Sequence, residues 1–228
     1  MKRLLFILLF IPILGFSQYT SIPDENFEKA LIDLGYDDVI DGKVLTANIS
    51  NVDSLYLDFK NIKDLKGIEA FTALTFLHCD NNKLTSLDVS KNTALKELYC
   101  YKNKLTSLDV SNNPALTNLF CDNNKITSLY LSKNTALKEL YCHNNKLTSL
   151  DLSNSAVLVD LYCNKNKLTS LDLSKNTFLE DLYCTDNQLT SLYLSKNTAL
   201  LELQCKGNKF DCGALQAKFN IIDEAFDD

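Results

Sequence analysis

Seven of the eight cysteines stand at 79, 100, 121, 142, 163, 184 and 205, so every gap is 21 residues, and only Cys212 breaks the series. A fixed period of this length marks a solenoid, in which each unit is too small to bury its apolar side chains alone and stacked units bury them together. Aligned on the cysteines, the units begin at Leu74, Leu95, Leu116, Leu137, Leu158, Leu179 and Leu200. Numbered from 1 to 21, all seven carry Leu at 1 and 4, Cys at 6 and Asn at 9, and the first six carry Leu or Ile at 11, Leu at 14 and Val or Leu at 16. Leu98 and Cys100 alternate with Glu97 and Tyr99, and Ser107 to Ser111 alternates in the same way. Both stretches predict half-buried strands.

The pattern resembles the leucine-rich repeat, L-x-x-L-x-L/C-x-x-N-x-L, over residues 74–210, with a looser copy reaching back to Val52. The spacing Leu74, Leu77, Cys79, Asn82 returns as Leu84, Leu87, Val89, Asn92, so the period is nested. In this it is similar to the bacterial IRREKO subclass. That resemblance implies a β-solenoid with short parallel strands on the concave face, strands on the convex face as well, and helical caps at both ends. It also implies a protein-binding role.

An inward cysteine behaves as a small apolar side chain. In-register side chains on parallel strands point the same way rather than at each other, so Cys79, Cys100, Cys121, Cys142, Cys163, Cys184 and Cys205 read as a ladder of thiols. Cys205 with Cys212 is the one plausible bridge. Asn82, Asn103, Asn124, Asn145, Asn166, Asn187 and Asn208 read as a second ladder, buried and structural, that satisfies backbone groups where each coil turns. A third column, Asn92, Asn113, Asn134, Asn176 and Asn197, has Ser155 in one place, so the coil 137–157 is expected to be the least well pinned.

The ends differ from the repeats. Residues 1–18 carry Lys2 and Arg3, then an apolar run from Leu4 to Leu14, then Gly15 and Ser17 around a cut before Gln18. This is the pattern of a cleaved secretory leader, residues 1–17 being removed. The expected location is outside the cell or on its surface, with no transmembrane segment left. Residues 19–51 form an N-terminal cap with a short helix from Pro23 to Leu34, and 52–73 form an irregular first repeat. The segment from Ile22 to Asn82 resembles the cap and first coil of internalin-type proteins. Residues 211–228 are expected to be a closing helix on Leu215, Phe219 and Ile222, followed by an acidic tail. Asp37, Asp41 and Gly42 have some of the spacing of a calcium loop but lack its third and last ligands, and an ordinary turn is the reading.

Function is sought on the outward positions. Position 5 reads Tyr56, His78, Tyr99, Phe120, Tyr141, Tyr162 and Tyr183, and position 3 supplies Glu97, Glu139, Asp160, Asp181 and Glu202. An exposed row of rings beside a row of carboxylates favours binding, because tyrosine offers broad contact and a hydroxyl with few torsions to freeze. Stacking of the rings on one another to stabilise the sheet accounts for the same residues. Two readings therefore stand: a recognition module for a protein, with a glycan as the alternative ligand, or a structural or adhesive spacer.

Other classes are excluded on composition. Net charge is −6, or −8 without Lys2 and Arg3, and no basic block is present, which argues against nucleic acid. The two histidines, 78 and 143, occupy different positions of distant units. No nucleophile is linked to a base in a non-repeated context, and no C-x-x-C pair or Gly-rich phosphate loop occurs. Neither enzyme activity, nor a cofactor, nor a metal is expected.

Overall fold

A computed structural model describes residues 18–218. The leader and, at the other end, Phe219, Ile222 and the acidic tail lie outside the described residues. The chain is a stack of short coils around one continuous apolar core, whose backbone is set by eight in-register parallel strands.

The N-terminal elements come first. Strand β1 (Tyr19–Ser21) pairs antiparallel with β2 (Lys43–Leu45), and helix α1 (Glu25–Asp33) lies between them in sequence. Asp24 caps α1 through Oδ1, which accepts from the N–H groups of Asn26 and Phe27 at 2.9 and 3.1 Å. Its other oxygen accepts from Lys63 and Asp64, so one carboxylate ties the cap to the first coil. Phe27, Ala30 and Leu31 form the buried stripe of α1, and the left-handed Gly35 follows its end. Helix α2 (Thr46–Ile49) leads into β3 (Ser54–Tyr56).

The large sheet continues with β4 (Phe76–His78), β5 (Glu97–Tyr99), β7 (Asn118–Phe120), β9 (Glu139–Tyr141), β10 (Asp160–Tyr162), β11 (Asp181–Tyr183) and β12 (Glu202–Gln204). Each strand is the period-2 stretch at positions 3 to 5, and pairing matches like with like: Leu77 to Leu98, Leu98 to Leu119, Leu161 to Leu182. A slip of one residue would turn every leucine outward, so the register is strongly specified. In the coil 95–115, Leu95, Leu98, Cys100, Leu105, Leu108 and Val110 are all at most 1% exposed. At about 1.5–3 kcal/mol each before entropy, six such side chains per coil make the stack cooperative.

The convex face carries the expected parallel strands over part of its length. Only β6 (Ser107–Asp109) and β8 (Ser128–Tyr130) pair there among the described residues. In four coils the aspartate at position 15 turns back onto the N–H two residues on, as Asp88 does to Ser90 and Asp172 to Ser174, both at 2.9 Å. These local bonds do not decide the pairing, since Asp109 makes one inside the paired β6, whereas Tyr193 replaces the aspartate in a coil that forms no convex strand.

The turn after each large-sheet strand is left-handed at position 8, with φ of 49–54° at Asn81, Lys102, Asn123, Asn144, Lys165 and Asp186 and 70° at Gly207. The next residue is the ladder asparagine. Asn103 accepts from Leu84 N–H at 2.9 Å and donates to the carbonyls of Cys79 and Cys100 at 3.0 and 3.1 Å. Asn82 and Asn124 make the same three bonds. So does Asn145, which accepts from Ile126 and donates to Cys121 and Cys142. Asn187 accepts from Leu168 and donates to Cys163 and Cys184, and Asn208 accepts from Leu189 and donates to Cys184 and Cys205. The column is not buried throughout, as the sequence suggests. Asn82, Asn103, Asn145, Asn166 and Asn187 are buried, at 8–9% exposure. Asn124 and Asn208 are only half-buried, Asn208 because no further coil stacks beyond it. In the third column Asn134 donates to the carbonyls of Val110 and Asn113, whereas Ser155 makes one bond, to Asn134 O at 3.3 Å.

Cys79, Cys100, Cys121, Cys142, Cys163 and Cys184 are free and buried. Burial pushes all six thiols up, to about 12 at Cys184, so no thiolate forms at neutral pH. The ladder of thiols stops one coil short of the sequence expectation, since Cys205 is bonded to Cys212 across a Cα–Cα distance of 5.6 Å. That bridge fastens helix α3 (Cys212–Lys218) over the last coil, and Gln216 donates to Leu203 O at 2.8 Å on the outermost strand. An open strand edge is thereby covered.

Candidate functional site

The outward side chains of the large sheet form two parallel rows. Strand pairing sets neighbours about 4.8 Å apart, a separation at which aromatic rings pack on one another. The position 5 rings stack accordingly: centroids lie 4.6 Å apart for Tyr99 and Phe120, 4.5 Å for Phe120 and Tyr141, and 4.2 Å for both Tyr141–Tyr162 and Tyr162–Tyr183. His78 meets Tyr99 edge-on at 4.6 Å, and Phe76 bridges Tyr56 and Tyr99 at 5.2 and 5.4 Å. The row is not the exposed one that the sequence suggests. Each interior ring hides its faces against its neighbours and stands half-buried, and only Tyr56, at the end of the stack, is 53% exposed. What solvent meets is a strip of ring edges and hydroxyls.

Beside the rings, Glu139, Asp160, Asp181 and Glu202 are in register on four consecutive strands. Asn118 separates them from Glu97. Tyr99 donates its hydroxyl to Glu97 at 3.1 Å, and Tyr183 donates to Glu202. None of these carboxylates is ion-paired among the described residues. Desolvation, then repulsion from Asp181 and Glu139, raises Asp160 to about 6. Desolvation and Glu202 raise Asp181 in the same sense. Burial beside these acids also lifts the phenols, that of Tyr99 to about 12.

A third row escapes sequence reading because it is irregular. Position 7 reads Asp58, Asp80, Tyr101, Asp122 and His143 along one margin of the sheet. His78 Nδ1 lies 3.4 Å from Asp80 and 3.8 Å from Asp58, and His143 Nε2 lies 3.4 Å from Asp122. The two histidines thus each meet aspartates of one column, although their own positions differ. Desolvation lowers His143 against the opposing pull of Asp122. No group of three or more His, Cys, Asp or Glu among the described residues is arranged to hold a metal. In the cap, Glu28 accepts three backbone N–H groups, from Asp41, Gly42 and Lys43, at 2.6–3.0 Å. That loop therefore closes around a carboxylate.

A second feature is legible in the sequence only once the strands are placed. Most coils carry Ala at position 21 and Lys or Thr at position 2, but residues 157, 159, 178 and 201 are Val, Val, Phe and Leu. Phe178 is 60% and Leu201 71% exposed. These positions flank the strands that bear Asp160, Asp181 and Glu202, because position 2 directly precedes position 3.

The family model for Leucine Rich repeats (2 copies) matches residues 114–154. Among solved structures, the chain is similar to the functional domain of InlJ from Listeria monocytogenes, described as including a cysteine ladder. Identity is 31% over 88% of this chain and 55% of that one, with a TM-score of 0.52. The chain thus spans about half of the length of that domain. Internalin C2 of the same organism matches at 22% identity over 90% and 95% of the two chains, TM-score 0.78, a likeness of fold. A Shigella effector LRR domain matches at 25% identity over 87% and 84%, TM-score 0.64. No curated protein matches. No helix among the described residues is long and apolar enough to cross a membrane.

Proposed function

This chain is a bacterial leucine-rich repeat protein, and from that premise we propose that it is an exported recognition module that binds a protein on the outer face of its eight-stranded sheet. The observation that carries this reading is the pair of rows: tyrosine edges and hydroxyls beside carboxylates that have no ion pair among the described residues. Charges held partly desolvated and unpaired raise the energy of the free protein, and a partner that supplies hydrogen bonds or positive charge relieves it. A stack serving stability alone has no use for the acids. The rings' faces are occupied by their neighbours, which favours a protein over a sugar that needs an open ring face. Neither row supplies a nucleophile linked to a base, so the reading is non-enzymatic.

The test compares capture of partners from the native environment by the wild type and by Glu139→Lys/Asp181→Lys. Recognition predicts that specific capture is lost while the protein stays folded. Equal capture by both proteins returns the chain to the role of a spacer.

A further inference from the structure

We propose that the partner's contacting segment is cationic with an adjacent apolar anchor, and that it docks on the C-terminal half of the sheet face. This rests on the reading above and names the chemistry of its ligand. Glu139, Asp160, Asp181 and Glu202 stand on adjacent strands, in a line about 14 Å long at the usual strand spacing. Glu180, exposed at position 2, adds a fifth carboxylate to the same end. The N-terminal half is different: there position 3 is Phe76, Glu97 and Asn118, so one charge stands where the other half has four.

The apolar component is separate in origin and adjacent in space. Phe178 and Leu201 are both largely exposed, on the margin that leads into β11 and β12. Repeat architecture does not require them, because Ala94, Ala115 and Ala136 at the one position and Thr75, Lys96, Thr117 and Lys138 at the other keep the same register. The departures coincide with the coils that carry the carboxylates. An extended segment crossing the strands, with Lys or Arg at alternate residues about 6.6 Å apart, meets the acid row every one to two strands. A bulky apolar residue beside them covers Phe178 and Leu201. Desolvated anchors of this kind set the dissociation rate, while the charges steer encounter and register.

The probe is a dye-labelled twelve-residue peptide with lysine at alternate positions and one terminal phenylalanine, followed by fluorescence anisotropy against the whole protein. A peptide with glutamate in place of lysine is the control. Expected is saturable binding of the lysine peptide that weakens with salt, weakens at least tenfold in Asp160→Asn/Asp181→Asn and at least threefold in Phe178→Ser/Leu201→Ser, and is unchanged in Asp88→Asn/Asp109→Asn on the other face. Thermal melts establish that each variant is folded. No saturable binding up to about 1 mM, or equal binding by Asp160→Asn/Asp181→Asn, overturns the proposal. If specific partner capture by the wild type persists while the lysine peptide does not bind, the cationic class falls and protein recognition stands. If capture also shows no dependence on Glu139 and Asp181, both fall.

Discussion

Asn166 accepts the backbone N–H of Leu147, nineteen residues earlier, at 3.0 Å through Oδ1. Its amide nitrogen donates to the carbonyls of Cys142 and Cys163, both at 3.0 Å. One side chain thus joins two coils at the point where both leave the sheet. Asn166→Ala strands a buried N–H and two carbonyls. Each orphan costs about 1–3 kcal/mol, so a loss of about 3 kcal/mol or more in urea unfolding is expected. The same change at the half-buried Asn124 should cost less, since water reaches the freed groups.

Ser155 stands where five other coils have asparagine and makes one bond in place of two. Ser155→Asn should restore a bond to the carbonyl of Leu131, as Asn134 makes to Val110 at 3.1 Å. A gain of about 1 kcal/mol is expected. An unchanged midpoint in urea would mean that the site has relaxed around serine.

Six thiols are free and one disulfide is closed. Iodoacetamide should leave the native protein unmodified at pH 8, because burial keeps the thiols protonated and out of reach. Denaturation without reductant should give six adducts by mass, and denaturation with reductant eight. Fewer than six without reductant would mean that ladder cysteines pair.

Asp160 titrates at about 6 in the fold against 3.8 unfolded. Between those values the folded chain holds more protons than the unfolded one, so this group favours the fold at low pH and its contribution falls as pH rises through about 6. Asp160→Asn should therefore raise stability at pH 7 and leave it nearly unchanged at pH 4. The carboxylate is partly open to solvent, so the gain is about 1 kcal/mol rather than the full value of the shift. His143 acts in the opposite sense, since its lowered pKa removes stability as pH falls below its ordinary value of 6.5. It is common to both proteins, so the difference between their pH profiles isolates Asp160. A difference that is flat from pH 4 to 7 would overturn the assignment.

Lys165 holds a left-handed turn with φ of 53°, and Gly207 holds the equivalent turn two coils later with φ of 70°. Lys165→Gly should stabilise by about 0.5–1 kcal/mol and Gly207→Ala should destabilise by about 1 kcal/mol. An added Cβ at 207 would stand 3.0 Å from the backbone nitrogen of Asp186. Thermal melts of the two variants, moving in opposite directions, check the pair.

The repeat period alone determined the stack, its register, the inward Leu and Cys set and the two asparagine columns, because copies at constant spacing can satisfy their apolar and backbone groups in few ways. Candidate rows at positions 3 and 5 followed from the same period, since side chains alternate across a strand. Other features were decided only by the tertiary structure. The rings of Tyr99 to Tyr183 pack against one another, because the strand spacing brings neighbouring rings within contact distance. Among the described residues the convex strands are confined to Ser107–Asp109 and Ser128–Tyr130, although the Ser-Leu step at positions 13 and 14 recurs in the other coils. Asn145 and Asn187 are buried while Asn208 is half-open, because burial at one repeat position depends on what stacks beyond it. His78 and His143 each face an aspartate of one column, although distant units and different positions hide this in the sequence. A period states which residues recur at one place; the contact between neighbouring places depends on the width of each side chain and on the depth at which the turn leaves it.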